Sequence, residues 1–166
     1  MNSTNIKPTY WVGGILFDKD EKLILVKNKQ GIWSLPGGTP TEGEILINTF
    51  LREFIEETRT RIFAWQIKKQ ALWVGTAKDL GFPIKEGNRP KIYTIFFSKN
   101  TINNFSSREI NTDEDIIETC SFDLNYVLRY MLESKHPGGH TRFHNAHALI
   151  LKKLKPELQH IKKVAA

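Results

Sequence analysis

The apolar and polar positions divide the chain into short strand-like runs and longer helical ones. Residues 9–17 (TYWVGGILF) and 22–27 (KLILVK) are strand-like, and the polar break Asp18-Lys19-Asp20-Glu21 between them predicts a hairpin. Gly13-Gly14 weakens the first run and predicts the close approach of another backbone or a ligand. Trp33-Ser34-Leu35-Pro36-Gly37-Gly38 is an apolar segment stopped by Pro and paired Gly, which permit a sharp turn. Ile47, Phe50, Leu51 and Phe54 then fall on one helical stripe, and Thr41 with Glu44 matches a capping box that would start the helix. Residues 61–76 (RIFAWQIKKQALWVGT), rich in aromatic and β-branched types, predict one strand or two with a bulge. Residues 77–90 read as a loop, 91–98 (KIYTIFFS) as a strand, and 99–113 as a polar stretch leading through Glu114–Glu118 to the strand-like 119–122.

Asp123–Lys135 predicts a helix with Leu124, Val127, Leu128, Met131 and Leu132 on one face, ended by His136-Pro137-Gly138-Gly139. Residues 142–155 and 157–164 predict one kinked helix or two short ones broken at Pro156. Leu151, Leu154, Leu158 and Ile161 supply their apolar stripe. The order ββ–α–βββ–α–α implies an α/β protein, a mixed sheet with helices packed on it.

Composition adds bounds to this outline. A chain of 166 residues is expected to be one domain, with a core over about residues 8–135 and a basic helical extension over about 140–166. No run approaches the roughly 20 apolar residues that span a bilayer, and the N-terminus lacks an apolar signal core. A single cysteine, Cys120, excludes an internal disulfide and reads as a small buried residue of a strand, which favours a cytoplasmic setting. The net charge of +6 comes from residues 134–166, because the basic and acidic residues before them cancel. Such a tail either contacts nucleic acid through residues 142–166 or forms a solvated helix face.

The distinctive chemistry lies in residues 37–60. Glu53, Glu56 and Glu57 stand at i, i+3 and i+4, so their carboxylates share one helical face. Like charges so placed oppose the helix unless a cation offsets them, and hard carboxylate oxygens suit Mg2+ or Mn2+. For the glutamates alone, a solvated surface face is the plainer reading.

The wider pattern Gly38-x5-Glu44-x7-Arg52-Glu53-Phe54-x-Glu56-Glu57 resembles the signature box of the Nudix hydrolases, the MutT-like enzymes. With six positions at roughly 1 in 15 each, chance agreement is on the order of 10⁻⁷ per register. The resemblance implies the Nudix fold, an α/β/α sandwich with a mixed sheet. It also implies a Mg2+- or Mn2+-dependent hydrolase that cleaves the diphosphate of a nucleoside diphosphate linked to another group. It implies that Gly38, through its carbonyl, with Glu53, Glu56 and Glu57, holds the metal, and that Arg52 orients a glutamate. Glu44 would be a lesser ligand or the helix cap. Glu53, or Glu118 with Glu114 in reserve, would take the proton of the attacking water. The family's box continues with a Gly and an apolar residue where this chain has Arg59 and Thr60. That Gly would suit a left-handed helix end, which strains an Arg by about 1 kcal/mol unless the helix ends in another way, so the departure is expected to alter the exit of the helix more than the chemistry.

Other residues enter as substrate candidates. Lys27 could reach a phosphate, and Trp11, Phe82 and Tyr93 could stack on a base, although strand-end lysines and core aromatics are commoner. His140, His144 and His147 share a helical spacing that suits Zn2+ or Cu2+, substrate lining or plain packing. Many Nudix relatives pair, so the resemblance leaves the oligomeric state open, with a homodimer as one outcome. The rival function classes are RNA 5′-end pyrophosphate removal by an RNA-contacting protein and a nucleotide-binding module without turnover.

Overall fold

The computed structural model describes residues 7–82, 89–110, 115–133 and 142–164. The strands are β1 (Thr9–Ile15), β2 (Leu23–Asn28), β3 (Trp33–Ser34), β4 (Gly37–Gly38), β5 (Trp73–Thr76), β6 (Lys91–Phe97), β7 (Arg108–Glu109) and β8 (Ile116–Phe122). Three helices accompany them: α1 (Leu46–Thr58), a short α2 (Leu124–Tyr126) that widens into a π-helical turn over Val127–Met131, and α3 (Asn145–Val164). The strands form two four-stranded sheets, ordered β4-β1-β6-β5 and β3-β2-β8-β7. Among the described strand pairs β1–β6 is parallel and the others antiparallel, so the first sheet is mixed and the second antiparallel.

The predicted hairpin between residues 9–17 and 22–27 exists only at its tip. Phe17 bridges Leu23 there, and Asp18 accepts from the Asp20 and Lys22 amides. Beyond the tip β1 and β2 part into different sheets, because each has found other neighbours.

Side-chain alternation along the strands builds one core on each face. Val12, Leu16, Ile24 and Phe96 meet Phe50 and Phe54 of α1, joined by Ile62, Ile67, Ile102 and Phe105. Ile15, Leu23, Leu25, Tyr93, Ile95 and Phe97 point the other way and meet α3 through Ile150, Leu151, Leu154 and Leu158. This is the α/β/α sandwich with a mixed sheet that the sequence resemblance implied. The Gly13-Gly14 pair serves close approach by backbone and side chains alike: a Cβ on Gly13 would lie 2.8 Å from Pro36 O and 2.1 Å from the Trp11 ring, and one on Gly14 2.3 Å from the Phe50 ring.

Three local expectations are corrected and one alternative is decided. The helix starts at Leu46 with Ile45 as its uncapped N-terminal residue, not at Thr41. Half of the capping box is present, Thr41 N–H donating to Glu44 Oε1 at 3.1 Å, but Glu44 is drawn away by Arg52 and Thr49. Residues 61–72 are not strand. Phe63 and Trp65 stack on each other over a 3₁₀ turn (Ala64–Gln66), and the Gln66 side chain accepts from the Phe63 amide. Of the two readings of the last segment the single helix holds: α3 runs through Pro156, where the carbonyl robbed of its partner lies among exposed residues that water can reach. Cys120 sits in β8 as expected but is half-buried, its Sγ 3.3 Å from Ser107 Oγ.

Arg59 ends α1 in the left-handed conformation, at φ 54 and ψ 26, its N–H donating to Ile55 O. The expected change in the helix exit is therefore absent: the departure from the family pattern leaves the backbone path intact and puts strain on the Arg. Arg59→Gly is expected to raise stability by up to about 1 kcal/mol, the strain released less the extra freedom of Gly in the unfolded chain. Thermal melting reads this as a Tm higher by about 2–4 °C.

Candidate active site

β4 is an edge strand of two glycines, and its pairing with β1 (Val12↔Gly38, Gly13↔Gly37) decides what each glycine faces. Gly38 shares the face of Val12, towards α1. A Cβ there would lie 2.3 Å from Glu53 Cδ, so the Glu53 carboxylate rests directly on the Gly38 backbone. Gly37 shares the face of Trp11, and a Cβ on it would strike the Val12 carbonyl oxygen at 2.2 Å. Its N–H donates to Glu57 Oε1 at 2.7 Å, and Glu57 is buried at 8 % exposure. Two of the three glutamates on one face of α1 therefore close on the glycine turn.

Arg52 ties the cluster together. Its Nε and Nη2 donate to the two oxygens of Glu44 at 2.9 and 3.0 Å, and Nη2 also to Thr39 O at 3.3 Å. Its Nη1 donates to Glu53 Oε1 at 2.9 Å and to Glu56 Oε2 at 3.4 Å. A forked, bidentate guanidinium fixes its partners in both distance and orientation. The Glu44 carboxyl falls to about 2, held ionised first by Arg52 and then by Thr49, and the Arg52 guanidinium is pushed up in return by Glu44. Stability drawn from this lowered carboxyl is complete above the ordinary value of 4.5 and is lost as pH falls towards about 2. Glu44→Gln is expected to flatten the stability–pH curve in that window, as acid-unfolding midpoints at successive pH values will read.

The donors meeting at this corner are carboxylate and carbonyl oxygens, a set chemically suited to Mg2+ or Mn2+. Among the described residues, no three acidic, His or Cys side chains converge into a finished cage. Arg52 Nη1 instead lies between Glu53 and Glu56, so a cation would share or replace its hold on them.

On the α3 side of the sheet lies an aromatic cavity of about 420 Å³, lined by Ile32, Phe82, Tyr93, Phe143, His144 and Asn145 among others. The Trp11 ring adjoins it, 6.1 Å from Tyr93 and 4.2 Å from His147 between centroids. The structure therefore gathers Trp11, Phe82 and Tyr93 in one region. Tyr93 is buried and forms part of the floor. His144 lines the cavity, whereas His147 is buried beneath it. Burial drives the His147 imidazole well below 6.5 and the His144 imidazole down as well. His147 Nδ1 accepts from Leu35 N–H at 3.2 Å, which assigns its proton to Nε2. Sequence spacing alone did not reveal this contact, which joins residues 112 apart in the chain.

Lys27 and Glu118 come together elsewhere. They pair across β2 and β8 as an ion pair, with Lys27 also over the Trp33 ring. Alternation puts them on the face of Leu23 and Leu25, away from α1, so the structure does not bring Glu118 to the glutamate cluster. Glu114, His136 and His140 lie outside the described residues. α3 turns its apolar face to the core and exposes Lys152, Lys153 and Lys155, with Lys152 3.4 Å from Glu133. Among the described residues, no helix is long and apolar enough to cross a membrane.

The family model of the NUDIX domain matches residues 7–143. The chain belongs to the NUDIX family. The hydrolase class implied by the box at residues 38–57 stands with it: the family acts on pyrophosphate bonds. Solved structures share the fold at low identity. The MutT protein of Methanosarcina mazei Go1 is 17 % identical, with 93 % of this chain and 98 % of that one covered and a TM-score of 0.59. The NUDIX domain of Shewanella oneidensis NrtR, solved with ADP ribose, is 18 % identical over 91 % of this chain and 88 % of that one, with a TM-score of 0.60. A bifunctional NMN adenylyltransferase/ADP ribose pyrophosphatase from Francisella tularensis, complexed with AMP and a Mn ion, is 17 % identical. That comparison covers 94 % of this chain and 43 % of that one, with a TM-score of 0.58.

Proposed function

We propose that this NUDIX protein is a Mg2+- or Mn2+-dependent pyrophosphohydrolase that cleaves the diphosphate of a nucleoside diphosphate linked to a second group. One observation carries the reading. The two-residue strand β4 has the Glu53 carboxylate and its Arg52-tied cluster on one face and the Trp11 ring on the other, and that ring adjoins the aromatic cavity through Tyr93. A substrate crossing that strand would place its diphosphate by the glutamates and its base among Trp11, Phe82 and Tyr93. The ADP ribose and AMP in two proteins of this fold support this substrate class.

Bound divalent metal would neutralise the phosphates and make the attacking water more acidic. Glu53, Glu56, Glu57 and the Gly38 carbonyl would hold the metal, while Arg52, itself anchored by Glu44, would orient Glu53 and Glu56. The water's proton passes to Glu53 in preference to Glu118, because Glu118 is committed to Lys27 on the far face of its strand. General-base assistance contributes about 10²- to 10⁴-fold. Glu118→Gln therefore separates the two assignments. Turnover kept within about threefold leaves the proton with Glu53, and a loss of about 100-fold or more transfers it to Glu118.

The whole reading is tested by assaying dNTPs, NDP-sugars, dinucleoside polyphosphates, ADP ribose and 5′-triphosphate RNA with and without Mg2+ or Mn2+. Metal-dependent release from at least one of them is the expected result. No turnover across the panel, with the protein folded, overturns it.

A further inference from the structure

The segment leading into the glycine turn is held from both flanks. On the α3 flank, Trp33 N–H donates to Arg142 O at 2.8 Å and Trp33 O accepts from His144 N–H at 2.9 Å, a parallel bridge with Phe143. The next amide along that edge belongs to Leu35, which is 1 % exposed. A continued strand would offer it a backbone carbonyl, but the chain turns into α3 at Asn145. The His147 imidazole, one turn into that helix, fills the gap by accepting from Leu35 N–H. It is clamped between the Trp11 and His144 rings, at 4.2 and 4.1 Å. On the opposite flank, Gly14 N–H donates to Pro36 O at 3.2 Å and Gly37 N–H donates to Glu57.

We propose that His147 is a positioning residue of the hydrolytic site, holding the Leu35 peptide so that Gly37 and Gly38 meet Glu57 and Glu53 in register. The inference rests on the reading of that corner as the cation site. An amide buried as deeply as that of Leu35 is costly to leave without an acceptor. With His147 gone, the peptide would rotate towards another partner, and Pro36 and Gly37 would turn with it. The matched family region ends at residue 143, so this control reaches the turn from a helix beyond it. Outer partners that orient the groups around a metal characteristically set its affinity by 10- to 100-fold.

The test uses the full chain without substrate, titrated with Mn2+ by electron paramagnetic resonance. His147→Leu removes the acceptor, whereas His147→Asn sets an amide oxygen near the place of Nδ1. The Leu substitution is expected to weaken Mn2+ binding about 10-fold, and the Asn substitution to restore it to within about threefold. In assays, kcat should follow the same order with KM little changed. Hydrogen exchange of the Leu35 amide in the unaltered protein should slow on adding Mg2+, a measurement that stands if the Leu variant fails to fold. A folded Leu variant with unaltered Mn2+ affinity, a failure of Asn to restore it, or a Leu35 exchange rate indifferent to Mg2+ overturns the proposal. Absence of Mn2+ binding in the unaltered protein overturns the cation reading itself, and this proposal with it.

Discussion

Glu57→Gln and Glu53→Gln are each expected to lower turnover about a thousandfold while leaving the fold intact. A carboxylate on a divalent cation contributes several kcal/mol to stabilising charge in the transition state, and about 4 kcal/mol corresponds to that factor. The fold should survive because each amide replaces only part of what the carboxylate does. Glu57→Gln still offers an oxygen to the Gly37 N–H, which donates to Glu57 Oε1 at 2.7 Å. Glu53→Gln still accepts from Arg52 Nη1, now 2.9 Å from Glu53 Oε1. What the amides lack is the negative charge that a hard cation requires. Steady-state kinetics over a Mg2+ series, with thermal melting as the control, will read the effect. Near-normal kcat in both variants would remove the glutamates from the chemistry.

The second large effect is expected from Gly38→Ala, which alters no charged group. The added Cβ would lie 2.3 Å from Glu53 Cδ and 2.4 Å from Glu53 Oε1. The obstacle is the far end of a flexible side chain, so the carboxylate yields and the backbone keeps its pairing with Val12. A reacting group displaced by about 1 Å costs about 100-fold in rate. Turnover should fall by that factor with a Tm close to that of the unaltered protein, and Mn2+ affinity should fall in parallel. A Gly38→Ala enzyme with kcat within about threefold would mean that the contact between Glu53 and Gly38 is packing without function.

Several features were legible in the residues alone. The i, i+3, i+4 spacing of Glu53, Glu56 and Glu57 opposite Phe50 and Phe54 requires only that the segment be helical, and both halves of that reading match α1. The box from Gly38 to Glu57 carried the family and the α/β/α architecture, because its six positions lie close together in the chain. The end of α1 was not legible: losing the glycine was expected to alter the exit of the helix, yet the backbone at Arg59 follows the path that the absent glycine would favour.

Long-range pairing was decided only by the tertiary structure. Nothing in residues 9–27 tells that β1 and β2 leave their shared tip for different sheets, since each run would pair with any strand of matching pattern. The aromatic run 61–72 looked like strand because β propensity reflects packing on a pleated surface, and here Phe63 and Trp65 stack on each other instead. Glu44 seemed a cap by spacing, yet Arg52, eight residues on, outcompetes that role with two charge-assisted bonds. Glu118 and His147 show the same limit from opposite sides. Register turns the first away from the glutamates, and helix docking brings the second against the Leu35 amide. Spacing along a chain fixes which side chains share a face. Which faces then meet depends on strand order and docking, and these are settled by burial summed over the whole core.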